Sequence, residues 1–146
     1  MTICAYCWYL ELNLTSEGLL SEKSVIAKKL SEYEPLNYHI ETCDLEFFLS
    51  PSKTIVQSTS YFKKNKNATA SDHKVELLGE KLKLQVIKLN GIELSESDYK
   101  LTDKSIVFNV NDDEFKLEII TEINPEKNTE LEGLYLSSGI FCTQNE

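Results

Sequence analysis

From about residue 38 the apolar residues recur with a period of two, and this spacing restricts the chain to extended structure. In "FKLEIITEI", Phe115, Leu117, Ile119 and Thr121 alternate with Lys116, Glu118, Ile120 and Glu122, as in a strand with one face buried. "CDLEFFLS" sets Cys43, Leu45, Phe47 and Leu49 on one face and Asp44 and Glu46 on the other. "KTIVQSTSYF" alternates less cleanly but is rich in the β-branched and aromatic residues that strands favour. Pro51-Ser52 between these two segments predicts a hairpin. "KVELL", "KLQVIKLNG", "DYKLTD" and "SIVFNVND" continue the series of short strands, and "NKNATASD" reads as a loop. Asn90-Gly91 and Asn111-Asp112-Asp113 are turn signals at hairpin spacing. Strands and turns that recur every ten residues or so, with no helical period between them, predict an all-β fold: an antiparallel β-sandwich or a saddle-like open barrel.

Residues 1–30 have a different texture and are expected to be an extension preceding a β domain over 31–146. In "SEKSVIAKKL", Ser21 can serve as an N-cap. Ile26 and Leu30 stand one helical turn apart, and Lys28 and Lys29 fall where a helix end favours cations, so a short helix is expected there. Pro35 closes the region. The apolar run Ile3 to Leu10 is far shorter than the roughly 20 residues of a membrane span. It also lacks the basic flank and cleavage site of a signal peptide. Cytoplasmic residence and no membrane partner are expected, and the sequons at Asn13 and Asn67 are then chance matches.

A formal charge of −9, from 24 acidic against 15 basic residues, argues against nucleic acid as a partner, because the chain has no surplus of cations to displace phosphate counterions. Of four cysteines, Cys4 and Cys7 have the C-x-x-C spacing of zinc and redox sites. A zinc knuckle needs a second ligand pair, and neither Cys43 nor Cys142 has a close Cys or His neighbour. His39 and His73, the only two histidines, are 34 residues apart. No His-Glu-x-x-His helix, nucleophile elbow or phosphate loop occurs. Pairs such as Glu76 with Glu80 and Asp112 with Asp113 read as solvated charge. The residues taken alone describe an all-β domain with no catalyst, and no catalytic or metal-ligating residue is assigned.

Several strings carry more information than their periodicity. "YEPLNYHIETCDLEFFL" resembles the opening of the bacterial aminopeptidase N family through Tyr33, Pro35, Tyr38 and Asp44 to Leu49. "KTIVQSTSYF" and "LLGEKLKLQVIKLNG" are similar to the strands that follow it there. "LEIITEINPEKNTELEGLYLSSGIFCTQNE" carries the greatest likeness, through Glu122, Ile123, Pro125, Asn128, Leu131 to Tyr135, Ser137 and Cys142 to Gln144. The resemblance covers about residues 31–146. It implies the N-terminal β domain of a zinc metallopeptidase that removes N-terminal residues from peptides.

The resemblance further implies that the loop after Gly133-Leu134-Tyr135 reaches into the active site. There Glu146 would bind the substrate's free α-ammonium, and Gln144 would line the pocket for its first side chain. Asn145 departs from the family pattern, which has Cys at that position. The zinc ligands, the general base and the oxyanion-stabilising Tyr would all lie in a catalytic domain beyond residue 146. The expected cofactor is therefore none in this chain and zinc in the full-length family. The expected partners are the missing catalytic domain and, through it, a peptide N-terminus.

Catalysis requires at least ~8 kcal/mol of transition-state stabilisation. One charge-assisted contact contributes roughly 1.5–3 kcal/mol, so the isolated chain is expected to be inactive. An independent, non-catalytic all-β binding module is the alternative. A small metal or redox protein built on Cys4 and Cys7 is the third reading.

Overall fold

A computed structural model describes residues 9–10, 35–68 and 73–144. The described elements are almost entirely antiparallel strands, as the alternating segments predict. They are β1 (Tyr9–Leu10), β2 (Tyr38–Phe48), β3 (Thr54–Lys64), β4 (Lys74–Leu78), β5 (Lys83–Leu89), β6 (Ile92–Glu93), β7 (Tyr99–Leu101), β8 (Ser105–Asn109), β9 (Glu114–Ile123), β10 (Gly133–Ser137) and β11 (Ile140–Gln144). A single 3-10 turn, Pro125–Lys127, separates β9 from β10. Five strands form one sheet in the order β2-β3-β9-β5-β6, four form a second in the order β1-β4-β8-β7, and β10 and β11 form a separate hairpin. The sheets do not close into a barrel. The expected helix, Cys4 and Cys7 lie outside the described residues. Tyr9–Leu10 pairs with β4 as an edge strand.

The two larger sheets share a core built from their facing residues. Phe62, Ile87, Phe115, Leu117 and Ile119 come from the five-stranded sheet, and Val75, Leu77, Ile106 and Phe108 from the other. The alternation read in β9 is realised, with Phe115, Leu117, Ile119 and Thr121 buried and the residues between them half-exposed. Phe115 stacks on Phe62, with ring centroids 4.7 Å apart, and meets Tyr38 edge-on at 5.2 Å, two of the preferred aromatic geometries. The Tyr38 hydroxyl donates toward the carbonyls of Val110 and Asp112, at 3.4 and 3.2 Å. It thereby ties β2 to the connection between β8 and β9.

β3 is the cleaner case of alternation than its sequence suggested. Thr54, Val56, Ser58, Ser60 and Phe62 are all buried, but three of the five carry hydroxyls, which conceals the period in a hydrophobicity reading. β2 contains a bulge between Ile40 and Thr42. An extra residue reverses side-chain parity, so Tyr38 and Ile40 share the inner face with Cys43, Leu45 and Phe47 beyond the bulge. The predicted continuation of that face to Leu49 is not realised. β2 ends at Phe48, and Leu49 is 54% exposed.

The hairpin expected around Pro51-Ser52 is present, since β2 and β3 pair along nearly their whole length. Thr54 closes it, its hydroxyl donating to the Ser50 carbonyl at 2.7 Å and accepting the Ser50 N–H at 3.0 Å. Asn90-Gly91 also forms a hairpin turn, with φ of 51° and 81°, the positive pair that a tight two-residue turn requires. Asn111-Asp112-Asp113 does not. β8 belongs to the four-stranded sheet and β9 to the five-stranded one, so this turn carries the chain across the core. Local turn chemistry records a reversal of direction but not which sheet receives the next strand.

Candidate functional site

The last described strand carries Gln144, and its surroundings set what that residue can reach. β10 and β11 pair in register from Gly133↔Gln144 to Ser137↔Ile140. Ser138 and Gly139 form the turn, with φ of 51° and 81°. Gln144, Cys142 and Ile140 therefore share one face with Gly133, Tyr135 and Ser137, and Thr143 and Phe141 share the other with Leu134 and Leu136. Leu134 is only 6% exposed, whereas Ile140 at the tip is 66% exposed. The loop that the resemblance places after Gly133-Leu134-Tyr135 corresponds here to a two-residue turn at Ser138-Gly139, with residues 140–144 a paired strand. The signal was a turn-forming Ser-Gly between two apolar runs.

Upstream of the hairpin, the path is set by side-chain hydrogen bonds together with the fully buried Pro125. The Asn124 carboxamide caps the 3-10 turn by accepting the Lys127 N–H at 3.1 Å. The Glu126 N–H donates to the Pro51 carbonyl at 2.9 Å, tying this turn to the β2–β3 connection. Asn128 then donates through Nδ2 to the carbonyls of Glu132 and Leu134, at 2.6 and 3.0 Å. Its Oδ1 accepts the Glu130 N–H at 3.2 Å. Within this segment Leu131 and Gly133 have φ of 60° and 73°. Lys81, itself at φ 58°, pairs with Glu130.

Gln144 is exposed at the end of β11, and Glu146 lies outside the described residues. His39 is exposed on β2, 3.9 Å from Glu41. The Cys43 sulfur accepts the Ser60 hydroxyl at 3.3 Å. Among the described residues, no three His, Cys, Asp or Glu side chains converge as metal ligands would. The lysine ammoniums of Lys63, Lys64 and Lys116 are held above their ordinary range by hydrogen bonds to Glu114, Asp113 and Glu118 respectively. Asp98 is held below the ordinary carboxylate range, first by the Ser95 hydroxyl and then by the Ser95 N–H. These are exposed surface pairings and mark no general acid or base. No described helix is long and apolar enough to cross a membrane.

Comparison with known proteins finds relatives that match most of the chain. Aminopeptidase N of Escherichia coli is 37% identical over 120 residues, 82% of this chain. The Caulobacter vibrioides protein of that name is 34% identical over 120 residues, and the Haemophilus influenzae one 33% identical over 123. A crystal structure of Legionella pneumophila aminopeptidase A in complex with aspartic acid superposes on 78% of the chain, with a TM-score of 0.68 and 30% identity.

Over about four-fifths of its length the chain is homologous to aminopeptidase N.

No protein-family profile matches it. The chain spans only 13–14% of the length of these aminopeptidase N relatives and 13% of the Legionella chain. The aminopeptidase N likeness thus concerns one β-rich segment of much longer proteins.

Proposed function

We propose that this chain forms the amino-terminal β portion of a zinc-dependent aminopeptidase that releases N-terminal amino acids from peptides. The observation that carries the reading is the identity of 33–37% over 82% of the chain, against relatives of which the matched residues make up only 13–14%. In this reading the two-sheet body is a scaffold, and the β10–β11 hairpin delivers substrate contacts to a catalytic domain contributed by the rest of the enzyme. Glu146 accepts charge-assisted hydrogen bonds from the substrate's α-ammonium. An ionised carboxylate suits this task because it offers only acceptors to a group that offers only donors. Gln144, two residues earlier, presents both a donor and an acceptor to the first side chain.

Zinc, when bound in such an enzyme, polarises the scissile carbonyl and activates water. The described residues do not fit it, since no three ligating side chains converge, and no step is assigned to metal held by this chain. What its own residues do is bind and orient. Anchoring the charged end of the peptide fixes which bond faces the catalytic groups, and positioning of this kind lowers the entropic part of the barrier.

The test has two arms. The isolated chain, supplied with zinc, is expected to leave an aminoacyl chromogenic substrate unhydrolysed. Produced together with Escherichia coli aminopeptidase N lacking the matching segment, it is expected to restore hydrolysis. Turnover by the chain alone, or no restoration despite a folded complex, would overturn the proposal.

A further inference from the structure

The segment between the body and the hairpin has two left-handed residues in three positions. Leu131 has a left-handed φ of 60° although it carries a Cβ, and Gly133 follows at 73°. Left-handed conformations are unfavourable for residues other than glycine, asparagine and aspartate, so such a path persists only where its surroundings enforce it. Leu131 is 52% exposed, so packing of its side chain does not supply that enforcement. Asn128 does. Its two amide hydrogens go to carbonyls on either side of Gly133, those of Glu132 and Leu134, and its oxygen holds the Glu130 N–H. One carboxamide thus spans the whole elbow.

We infer that Asn128 is a positioning residue for the substrate contacts of the hairpin: it clamps the 128–134 elbow and so aims β10–β11, with Gln144 at the far end of the pair Gly133↔Gln144. The clamp connects directly to that pair, since Glu132 and Leu134, whose carbonyls it holds, flank Gly133. Its other side is anchored to the body. The 3-10 turn immediately before Asn128 is capped by Asn124 and bonded to the Pro51 carbonyl of the β2–β3 connection. Hydrogen bonds and the short backbone between them therefore link the β2–β3 connection to β10, the partner of the strand bearing Gln144. The shape of the clamp rests on this structure alone; its service to substrate binding rests on the function proposed above.

Asparagine is specific for this task. Two donors and one acceptor are used at once, which neither aspartate, an acceptor only when ionised, nor leucine can match. Asn128→Asp would set a carboxylate against two carbonyl oxygens. Protonation would restore one donor, so this variant is expected to regain part of the clamp as pH falls through the carboxyl's titration.

Hydrogen exchange on the 146-residue chain tests the clamp without reference to catalysis. Asn128→Ala is expected to speed exchange of β10 and β11 amides at least tenfold while the β3 and β9 amides keep their protection. Asn128→Asp is expected to do the same at neutral pH and to recover part of the protection under acid. Unchanged hairpin protection in both variants, or equal loss in β3 and β9, would overturn the clamp.

In the reconstituted enzyme, Asn128→Ala is expected to raise KM about tenfold with a smaller change in kcat. An unchanged KM in a variant whose hairpin exchange has accelerated would overturn the positioning role. Failure of the unmodified chain to restore activity would count against the proposed function and leave the exchange result to decide the clamp.

Discussion

The two-sheet body and the β10–β11 hairpin are both antiparallel β-structure, yet they are held by different forces. The body packs Phe62, Phe115, Leu117 and Ile119 against Val75, Leu77, Ile106 and Phe108 across the gap between its sheets. Burial of each such side chain contributes about 1.5–3 kcal/mol. The hairpin buries one large side chain, Leu134, and is fixed at its base by an asparagine and a capped 3-10 turn. Directional hydrogen bonds of this kind add about 0.5–1.5 kcal/mol each, enough to select a conformation but not to build a domain. Stability therefore resides in the body, and the part that carries Gln144 is drawn from the less stable end of the structure, where binding elements commonly lie.

This contrast can be broken most forcefully at Phe115. Phe115→Ala removes a ring that stacks on Phe62 and meets Tyr38, and an expected loss of about 3–5 kcal/mol should appear as a lower denaturant midpoint. A cost under ~1 kcal/mol would show that the body is not the stabilising unit. Tyr38→Phe keeps the packing and removes only the hydroxyl that serves the carbonyls of Val110 and Asp112. About 1 kcal/mol is expected from the same measurement.

On the hairpin side, Ile140→Ser at the exposed tip should change stability by no more than about 0.5 kcal/mol. A larger loss would reveal packing that the contrast denies.

The smallest effect concerns pH. The Ser95 hydroxyl and N–H hold the Asp98 carboxyl below its ordinary value. That pairing therefore contributes fully above the unfolded-state value and is lost as pH falls through the depressed one. Ser95→Ala should move the Asp98 titration, followed by NMR, upward toward the ordinary carboxylate range. A titration that does not move would remove the hydroxyl as its cause.

Much of the body was legible in the sequence because its strands carry one buried face each. β9 declares itself through Phe115, Leu117, Ile119 and Thr121, all buried as read. β3 was harder because Ser58 and Ser60 occupy buried positions that a hydrophobic pattern assigns to larger residues. Asn111 to Asp113 predicts a hairpin that does not form, because a turn signal is local, whereas the destination of β9 is decided by pairing with β3 and β5. The bulge at Ile40–Thr42 leaves no mark in the composition.

The candidate site residues are legible for a different reason. No charge cluster or ligand spacing singles out Gln144 or Glu146, and both were selected through a family resemblance. In the sequence Asn128 stands out only as a position that matches the family pattern. Its bonds to Glu132 and Leu134 depend on a left-handed path at Leu131 that residue preferences argue against.

The central claim is that this chain grips the charged end of a peptide for chemistry performed elsewhere in the enzyme. Its most direct test is kcat/KM for an aminoacyl chromogenic substrate in the reconstituted enzyme, with Glu146 and with Glu146→Gln. Removing the charge while keeping the shape should cost at least about tenfold, the equivalent of one charge-assisted hydrogen bond. Equal kcat/KM for the two proteins would contradict it.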